Sequence, residues 1–474
     1  MTPAASAALA ELTQHFDTTT LVRDPWRLAP LEIDHRERYR GRAAAALFPR
    51  STAQVSAALE ICHRHAMPVV PQGGNTSYCG AATPDTSGDQ LLLCLARMNR
   101  IRELRPIDDV MVAEAGCLLA ELQQAATAAD RLFPLQLGSA GSCQLGGNLS
   151  TNAGGTNVLR YGMARELVLG LEVVLADGRV LETLGALRKD NTGYDIKSLF
   201  LGAEGTLGVI TAASLRLFPQ PRSVAAAFVA LGSVQQAIEL LAELRSAGGE
   251  ELTSFELMPR AALQLLNRHL PDRQPPLPLD APWFLLCELA TARRGADTHH
   301  TLEDLLSAAS ERGLLGNAVI AQNERERQAL WQLRESIPEA QRRAGLSLKH
   351  DISVPVAVLP EFVTRGTALV EQTVSEGQLI AYGHAGDGNL HFNVSLRDGA
   401  DAAAFSAREQ TLRRAVHDLV HEFGGSFSAE HGIGQSKVEE LERYAPALEL
   451  ELMRRIKLAL DPQGIMNPGK VLKR

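Results

Sequence analysis

Two histidines, His384 and His391, flank a turn whose sequence, Ala-Gly-Asp-Gly (385–388), is rich in glycine. The residues on either side alternate between apolar and polar side chains, so the segment predicts a β-hairpin. With a four-residue loop, His384 pairs with Asn389, and His391 and Asn393 fall on the same face. Diagonal neighbours on a hairpin lie about 7–8 Å apart and imidazole binds zinc at about 2.0–2.1 Å, so one divalent ion can bind both histidines.

A carboxylate that can complete this site follows downstream, in the sequence Glu430-His431-Gly432-Ile433-Gly434. The two glycines predict a loop, which leaves the side chains of Glu430 and His431 free to point in the same direction. With Glu430 as third ligand, the set has three protein ligands and an open position, the pattern of a catalytic metal site. His431 is then the candidate base. A lone histidine is more often an ordinary buried residue, but the clustering of these polar groups favours zinc or a similar divalent metal.

The size and charge of the chain exclude several classes of function. Its 474 residues suffice for two or three domains, each with its own core. A net charge of −8 without a basic block argues against a nucleic-acid partner. Six cysteines are scattered without a CxxC pair, so neither a disulfide framework nor a zinc ribbon is predicted.

The opening residues and the hydropathy of the chain predict no membrane span. The start lacks the basic region of a signal peptide and predicts a helix instead. No run approaches the roughly 18 apolar residues that a transmembrane helix needs. Together with the cysteine pattern, these features lead us to expect a cytoplasmic protein, with any contact to the inner membrane being peripheral.

Two segments, 71–77 and 138–155, are rich in glycine and small polar residues, and a third glycine-rich segment, 201–211, precedes a β-branched run. Exposed backbone N–H groups in such segments can hold phosphate, although a Gly-Gly-Asn turn or a flexible linker has a similar composition. Leu145 and Leu149 argue against a linker. The segments match neither the dinucleotide-binding fingerprint nor the P-loop pattern.

The glycine-rich motifs resemble those of a known family. Gln-Gly-Gly-Asn-Thr (72–76), the run 146–155, Asn-Thr-Gly-Tyr-Asp (191–195) and the segment 202–210 resemble the FAD-binding domain of the vanillyl-alcohol-oxidase type flavoproteins. The resemblance covers nearly the whole chain. It implies an α+β fold: a PCMH-type FAD-binding domain of two α+β subdomains, a substrate (cap) domain with an antiparallel sheet, and a small C-terminal helical segment.

By this resemblance, FAD lies across the glycine-rich loops, and Asn467 returns from the C-terminal segment to the flavin. Asn75 occupies the usual position of a flavin-linked histidine, so we expect non-covalent FAD. The implied cofactor-binding residues are Pro71, Gln72, Gly73, Gly74, Asn75, Thr76, Gly138, Ser139, Gly141, Ser142, Gly146, Gly147, Asn148, Ser150, Thr151, Asn152, Gly154, Gly155, Glu204, Gly205, Gly208, Ile210 and Asn467.

Within the superfamily, the motifs at 383–393, 430–434 and 461–470 are similar to those of the D-lactate and D-2-hydroxyglutarate dehydrogenase branch. We expect an FAD-binding domain over 1–220 and a substrate domain with the metal site over 221–440. The last part, 441–474, is expected to pack on the FAD domain. In the substrate domain, strands are predicted at 223–231 and 283–289 and helices at 233–247 and 301–312, with a further helix at 447–460 in the last part.

Arg334 and Lys349 are candidate anion anchors, because Arg presents a planar fork to a carboxylate and Lys a point charge. Spacing alone makes a solvated surface charge the more common interpretation. The resemblance implies that both bind the distal carboxylate of D-2-hydroxyglutarate. Pro338 departs from the family pattern, which has a threonine there; Ser336 is a candidate substitute.

The resemblance implies oxidation of a D-2-hydroxy acid to the 2-oxo acid by hydride transfer from C2 to the flavin. The metal would bind the C1 carboxylate and the hydroxyl, Asn393 the carboxylate, and His431 would take the hydroxyl proton. D-2-hydroxyglutarate is the leading substrate and D-lactate, or another short D-2-hydroxy acid, the alternative. An electron-transfer flavoprotein or a quinone is the implied acceptor, and a homodimer is compatible with the sequence. A non-catalytic flavin-binding subunit and a zinc hydrolase are the rival classes.

Overall fold

The computed structural model describes residues 1–473. The chain forms two compact units. The first unit comprises residues 1–155, 162–220 and 430 to the end of the described chain. The second unit comprises residues 156–161 and 221–429. The expected three-part division at residues 220 and 440 stays a prediction.

Both units combine helices with strands. The α-helices are α1 (Pro3–His15), α2 (Pro25–Leu28), α3 (Thr52–Arg64), α4 (Leu119–Ala128), α5 (Leu145–Ser150), α6 (Val158–Tyr161), α7 (Val234–Gly248), α8 (Arg260–His269), α9 (Thr298–Glu311), α10 (Glu324–Ala344), α11 (Leu359–Thr373), α12 (Ala402–Ala407), α13 (Glu409–Glu422), α14 (Val438–Tyr444) and α15 (Ala447–Leu460). The strands are β1 (Leu21–Val22), β2 (Ala43–Leu47), β3 (Val69–Gln72), β4 (Gln90–Cys94), β5 (Ile101–Arg105), β6 (Val110–Glu114), β7 (Arg131–Leu132), β8 (Val168–Val174), β9 (Val180–Thr183), β10 (Val209–Arg216), β11 (Phe218–Pro219), β12 (Ser223–Leu231), β13 (Leu252–Pro259), β14 (Trp283–Thr291), β15 (Asn317–Ile320), β16 (Ser347–Leu348), β17 (Asp351–Ser353), β18 (Gly377–His384) and β19 (Asn389–Leu396).

The first unit contains two main sheets. A four-stranded sheet has the order β1-β2-β4-β3, in which β2, β4 and β3 run parallel. A five-stranded antiparallel sheet has the order β5-β6-β10-β8-β9. These sheets with their helices fit the two α+β subdomains expected for this half of the chain.

The carboxyl-terminal segment returns to the first sheet of this unit. The Val69 N–H donates to the Ile465 carbonyl at 2.8 Å, and the Asn467 N–H donates to the Val69 carbonyl at 2.8 Å. Ile465 and Met466 are buried in the same hydrophobic cluster as Leu91 of β4. The segment therefore completes the sheet edge beside β3.

The second unit is built on an antiparallel sheet with the order β15-β12-β14-β13-β18-β19-β16, and β17 also pairs with β19. Helices cover both faces of this sheet. The face with Leu390 and Phe392 of β19 packs into one hydrophobic cluster with helices α7, α9, α11 and α13. The face with Ile380 and Tyr382 of β18 packs into a second cluster with helices α8 and α10.

The predicted hairpin is present as β18 and β19. Tyr382 lies opposite His391, and Ile380 lies opposite Asn393, which is the register expected for the four-residue loop 385–388. His384 and His391 are therefore diagonal neighbours on one face, with ring centroids 5.7 Å apart. Because side chains alternate across a strand, the histidines share the face of Tyr382, while Phe392 points into the opposite core.

Helix α10 crosses the Tyr382 face and carries Arg334. It begins after Asn323, whose side chain accepts a hydrogen bond from the Glu326 N–H. Pro338 lies inside this helix. Proline has no N–H, so residue 338 cannot donate the helical hydrogen bond to the Arg334 carbonyl four residues earlier.

None of the helices described over residues 1–473 has the length and apolarity needed to cross a membrane.

Truncating Phe392 should destabilise the second unit. Its ring is fully buried and lies 5.5 Å from the ring of Phe362, and a Cβ at Gly366 would come within 2.7 Å of it. We expect Phe392→Ala to lower the free energy of unfolding by about 3–5 kcal/mol, because the cavity is surrounded by rigid core. Urea unfolding followed by the fluorescence of Trp283 and Trp331, both in this unit, measures the loss. The control is Val224→Ala on the same sheet. The Val224 side chain is 39% exposed, so this change should shift the unfolding midpoint little. Equal unfolding midpoints for Phe392→Ala and wild type would contradict the packing argument.

Candidate functional site

The glycine-rich loops of the first unit are packed backbone against backbone. A Cβ at Gly73 would lie 3.4 Å from the Gly147 nitrogen, and a Cβ at Gly74 would lie 2.1 Å from the Ser142 carbonyl oxygen. Distances near 2 Å exclude any side chain, so residue 74 must be glycine for the loops to approach this closely. The two glycine-rich segments predicted from the sequence, 71–77 and 138–155, therefore pack directly against each other.

Beside this contact the loops leave open space. A Cβ added at Gly138, Gly141 or Gly147 would meet no atom within 4 Å. Two buried acceptors in the same unit, Gln144 Oε1 and Asn467 Oδ1, have no hydrogen-bond partner in the described chain. Buried polar atoms are rarely left unsatisfied, so open space and unsatisfied acceptors together fit a polar ligand such as FAD.

Some predicted cofactor residues hold the loops through their side chains. Gln72 Nε2 donates to the carbonyls of Leu31 and Ala82, each at 2.9 Å. Asn75 adopts a left-handed backbone conformation, with φ of 52°, and its Nδ2 donates to the Ile33 carbonyl at 2.8 Å. Asn75 therefore fixes the loop conformation, a role that asparagine can perform because it tolerates positive φ.

Glu204 organises the segment that carries His431. Its buried carboxylate accepts hydrogen bonds from the N–H groups of Ile433 at 2.7 Å and Gly434 at 2.8 Å. Its carbonyl accepts from Asn467 Nδ2 at 2.8 Å. Burial raises the pKa of the Glu204 carboxyl, although the two backbone hydrogen bonds act in the opposite direction. Glu204 thus ties together the 430–434 segment and the carboxyl-terminal Asn467.

His431 is half-buried and packs edge-to-face on Tyr78, with ring centroids 4.8 Å apart. The guanidinium carbon of Arg36 lies 3.6 Å from the centroid of the same Tyr78 ring. A cation over an aromatic face is an attractive contact, so Tyr78 is held in place by contacts with both Arg36 and His431. Glu430, the preceding residue, accepts a hydrogen bond from the Gly155 N–H at 2.7 Å through Oε1.

In the second unit, each of the predicted metal-binding histidines has a buried carboxylate beside it. His384 Nδ1 lies 2.5 Å from Glu256 Oε1, and His391 Nδ1 lies 4.0 Å from Asp351 Oδ1. Burial raises the pKa of the Glu256 carboxyl, but the neighbouring His384 and Arg334 outweigh burial and bring that pKa down to about 2. Glu256 is therefore a carboxylate at neutral pH.

The predicted substrate residues differ in their surroundings. Arg334 is buried, with its Nε 2.6 Å from Glu256 Oε2 and its guanidinium carbon 4.8 Å from the Tyr382 ring centroid. Asn393 is buried and donates through Nδ2 to Gln341 Oε1 at 2.9 Å. Lys349 is exposed. The structure thus brings Arg334 together with the histidine pair.

Sequence reasoning missed Glu256 and Tyr78. Glu256 lies between Phe255 and Leu257 in β13, a strand whose other residues are apolar or carry a hydroxyl, and a lone carboxylate in such a strand indicates a buried partner. That signal was present in the sequence. Tyr78 had none, because its partners Arg36 and His431 are distant from it in the sequence.

The chain matches two family models. Residues 43–184 match the model described as "FAD binding domain", and residues 220–471 match the model described as "FAD linked oxidases, C-terminal domain".

Similar proteins carry dehydrogenase names. The mitochondrial D-2-hydroxyglutarate dehydrogenase of Bos taurus is 41% identical over 456 residues, which cover 95% of this chain and 81% of that protein. The mitochondrial enzyme of the same name from Rattus norvegicus is 39% identical, over 95% of this chain and 82% of that protein. A mitochondrial protein of Schizosaccharomyces pombe, provisionally named a D-lactate dehydrogenase, is 37% identical over 94% of this chain and 85% of its own length.

Solved structures support the fold. p-Cresol methylhydroxylase with substrate bound superposes with a TM-score of 0.76 at 17% identity, covering 100% of this chain and 98% of that chain. Alkyldihydroxyacetonephosphate synthase superposes with a TM-score of 0.74 at 17% identity, covering 97% of this chain and 84% of that chain. The expected α+β fold with a PCMH-type FAD-binding domain is confirmed.

The expected cytoplasmic location is wrong, because the similar proteins from cattle, rat and Arabidopsis thaliana are named as mitochondrial. The expectation relied on charge and scattered cysteines, which indicate a reducing environment and carry no information about an organelle.

Matches over more than half of the chain, and relatives at 37–41% identity over nearly all of it, agree with the sequence motifs. The chain belongs to the FAD-linked oxidases, in the branch that contains the D-2-hydroxyglutarate and D-lactate dehydrogenases.

Proposed function

We propose that this chain oxidises a D-2-hydroxy acid to the 2-oxo acid, with D-2-hydroxyglutarate as the leading substrate. The chain is an FAD-dependent oxidoreductase, as its family membership shows. The observation that carries the substrate proposal is the linked group in the second unit, in which Glu256 joins Arg334 to His384, with His391 adjacent. Histidines that can bind a metal lie beside a buried guanidinium in this group. Such a combination suits a hydroxy acid that has a second carboxylate.

We propose that His384, His391 and Glu430 hold a divalent metal, with zinc as the best match to the donors. The donor chemistry fits. His384 Nδ1 is occupied by the Glu256 carboxylate, which leaves Nε2 as the ligand atom, the arrangement usual for metal-binding histidines.

Chain connectivity is consistent with Glu430 as the third ligand. The Ala429 N–H lies 3.4 Å from the Asp351 carbonyl, and Asp351 is paired with His391. Glu430 follows Ala429 by one peptide bond, about 3.8 Å between Cα atoms. When bound, the metal would supply positive charge for the C1 carboxylate and the hydroxyl of the substrate.

FAD would be held by the glycine-rich loops of the first unit and by Asn467, and when bound it would accept the hydride from substrate C2. The binding is proposed to be non-covalent, because Asn75 has no nucleophilic side chain. The open space at Gly138, Gly141 and Gly147, and the unsatisfied Asn467 Oδ1, support this placement.

His431 is the proposed base that receives the substrate hydroxyl proton. The lone pair of a neutral imidazole nitrogen can accept this proton. Tyr78 restricts the tilt of the His431 ring through the edge-to-face contact, and Glu204 fixes the two residues that follow Gly432. Both contacts limit the freedom of the base before substrate arrives.

Arg334 and Lys349 are the proposed anchors of the distal carboxylate, and Asn393 is proposed to bind the C1 carboxylate. The Asn393 amide is held by Gln341, which fixes its orientation. One observation favours the alternative, D-lactate: Glu256 already balances the charge of Arg334, which weakens its attraction for a second carboxylate. An electron-transfer flavoprotein or a quinone is the proposed electron acceptor.

The choice between the two substrates can be made with the bound flavin. Anaerobic D-2-hydroxyglutarate should bleach the flavin band of the purified protein at concentrations at least about tenfold below those of D-lactate, because a charged hydrogen bond contributes about 1.5–3 kcal/mol. L-2-hydroxyglutarate is the stereochemical control and should leave the band unchanged. If half of the bound flavin were reduced at a lower concentration of D-lactate than of D-2-hydroxyglutarate, Arg334 would be ruled out as an anchor of the distal carboxylate.

The role of His431 predicts a specific loss. His431→Ala should slow flavin reduction by about 10²–10⁴-fold, the usual contribution of a general base, while FAD remains bound. His35→Ala is the matched control, since the His35 ring also lies near Tyr78, with ring centroids 5.9 Å apart. Stopped-flow reduction at saturating substrate measures both. Wild-type rates in His431→Ala would show that another group takes the proton.

The FAD site can be tested without substrate. Gly147→Leu should fold, because nothing lies within 4 Å of its Cβ, but should lose flavin absorbance because the new side chain fills the space proposed for FAD. Gly185→Leu is the control, since Gly185 also faces open space but lies outside the glycine-rich loops. The flavin-to-protein absorbance ratio after purification measures occupancy; a fully yellow Gly147→Leu protein would place FAD elsewhere.

A further inference from the structure

Glu256 occupies a central place among the residues proposed to bind metal and substrate. It lies on β13, directly opposite His384 of β18, and its side chain is fully buried. One carboxylate oxygen, Oε1, contacts His384 Nδ1 at 2.5 Å. The other, Oε2, contacts Arg334 Nε at 2.6 Å. Each oxygen of the Glu256 carboxylate therefore contacts a different residue of the proposed site.

We propose that Glu256 is a positioning residue that couples the substrate anchor Arg334 to the metal ligand His384. The inference rests on the proposed function, because it assigns to Glu256 a task in the site described there. Glu256 would touch neither substrate nor metal and would act through the two side chains that it holds.

The contact with His384 fixes which ring nitrogen can bind a metal. A carboxylate accepts hydrogen bonds only, so His384 must carry its proton on Nδ1 and present the Nε2 lone pair. Such a partner also holds the ring plane and raises the basicity of the ligand nitrogen. Without Glu256, the ring can rotate and can adopt the other tautomer.

The contact with Arg334 fixes the guanidinium on the same side. With Nε bonded to Glu256, the planar group is held over the Tyr382 ring at 4.8 Å, and Tyr382 in turn lies 5.1 Å from the His391 ring. A guanidinium is planar, so fixing Nε and the stacking face fixes the direction of both terminal nitrogens. Displacement of Arg334 would thus be transmitted to His384 through a single rigid carboxylate.

A second carboxylate of this unit provides a matched comparison. Glu288 lies on the neighbouring strand β14 and accepts hydrogen bonds from Arg327 Nη1 and Trp331 Nε1, each at 2.8 Å. Arg327 and Trp331 belong to α10, the helix that carries Arg334. Glu288 therefore ties the same helix to the same sheet without contacting either proposed metal-binding histidine.

The experiment uses the full-length, FAD-loaded protein. Wild type, Glu256→Gln and Glu288→Gln are stripped with a chelator and titrated with zinc against a fluorescent zinc indicator. We expect zinc to bind Glu256→Gln about 10–100-fold more weakly than wild type, the usual effect of losing the partner of a metal-binding histidine. Glu288→Gln should bind zinc as wild type does.

Arg334→Met tests the coupling and does not depend on the folding of the Gln variant. Because Glu256 joins the two residues, Arg334→Met should weaken zinc binding severalfold, although Arg334 is not a ligand. The double variant should bind zinc no more weakly than Glu256→Gln alone, since both changes act through one carboxylate.

The outcomes separate this inference from the proposed function. Wild-type zinc affinity in Glu256→Gln or in Arg334→Met, or fully additive losses in the double variant, would overturn the coupling and leave the proposed function intact. A wild-type protein that binds no zinc would overturn the proposed metal site and, with it, the role of Glu256.

Discussion

The antiparallel register between β18 and β19 is the constraint on which the second unit depends. Because side chains alternate, this register places His384, His391 and Asn393 on one face and Phe392 on the other. A slip of one residue would move the histidines to the face covered by α11 and α13 and move Phe392 to the face covered by α8 and α10. The buried cores on both faces of the sheet oppose such a slip, so the packing that stabilises the unit also specifies the position of its functional side chains.

In the first unit, contacts between main-chain atoms take the place of strand register. Its candidate ligand site depends on the close approach of backbones at Gly74 and Ser142, which no side chain permits, and on glycines that leave room beside that contact. Side chains such as Glu204 then hold the surrounding loops through backbone N–H groups. The site is therefore shaped mainly by main-chain atoms, which suits a large polar cofactor with many acceptor groups.

Local features of the fold followed from the sequence, because their signals are local. The hairpin was predicted from alternation and a turn sequence, and β12 and α15 were predicted with their observed bounds. Helix α7, predicted to begin at residue 233, begins one residue later, because the Ser233 side chain caps it. The segment 66–70 is predicted as a strand from its apolar residues, whereas the structure has β3 at Val69–Gln72. Strand β3 includes Pro71, which is tolerated because β3 is the last strand in the order of its sheet.

The candidate site was only partly predictable, because its supporting contacts join distant parts of the chain. The histidine pair came from spacing, whereas Glu256 is 128 residues from His384 and 78 from Arg334. No periodicity links such positions. For the same reason Arg334, which spacing alone would assign to the solvent, is buried by Glu256 and Tyr382. A charged side chain can be buried only if it has suitable partners, which are often distant in the sequence. A single sequence does not show which distant residues become partners.

The return of the carboxyl-terminal segment to β3 has a consequence for synthesis on the ribosome. Val69 is hydrogen-bonded to Ile465 and Asn467, so the sheet edge beside β3 and the loop held by Asn467 cannot form until residues 465–467 have been translated. The second unit, which ends at residue 429, has its complete sequence earlier. Domains usually fold in the order of translation. In this protein the amino-terminal unit needs residues that are translated after the sequence of the second unit is complete, so its sheet edge can close only after that point.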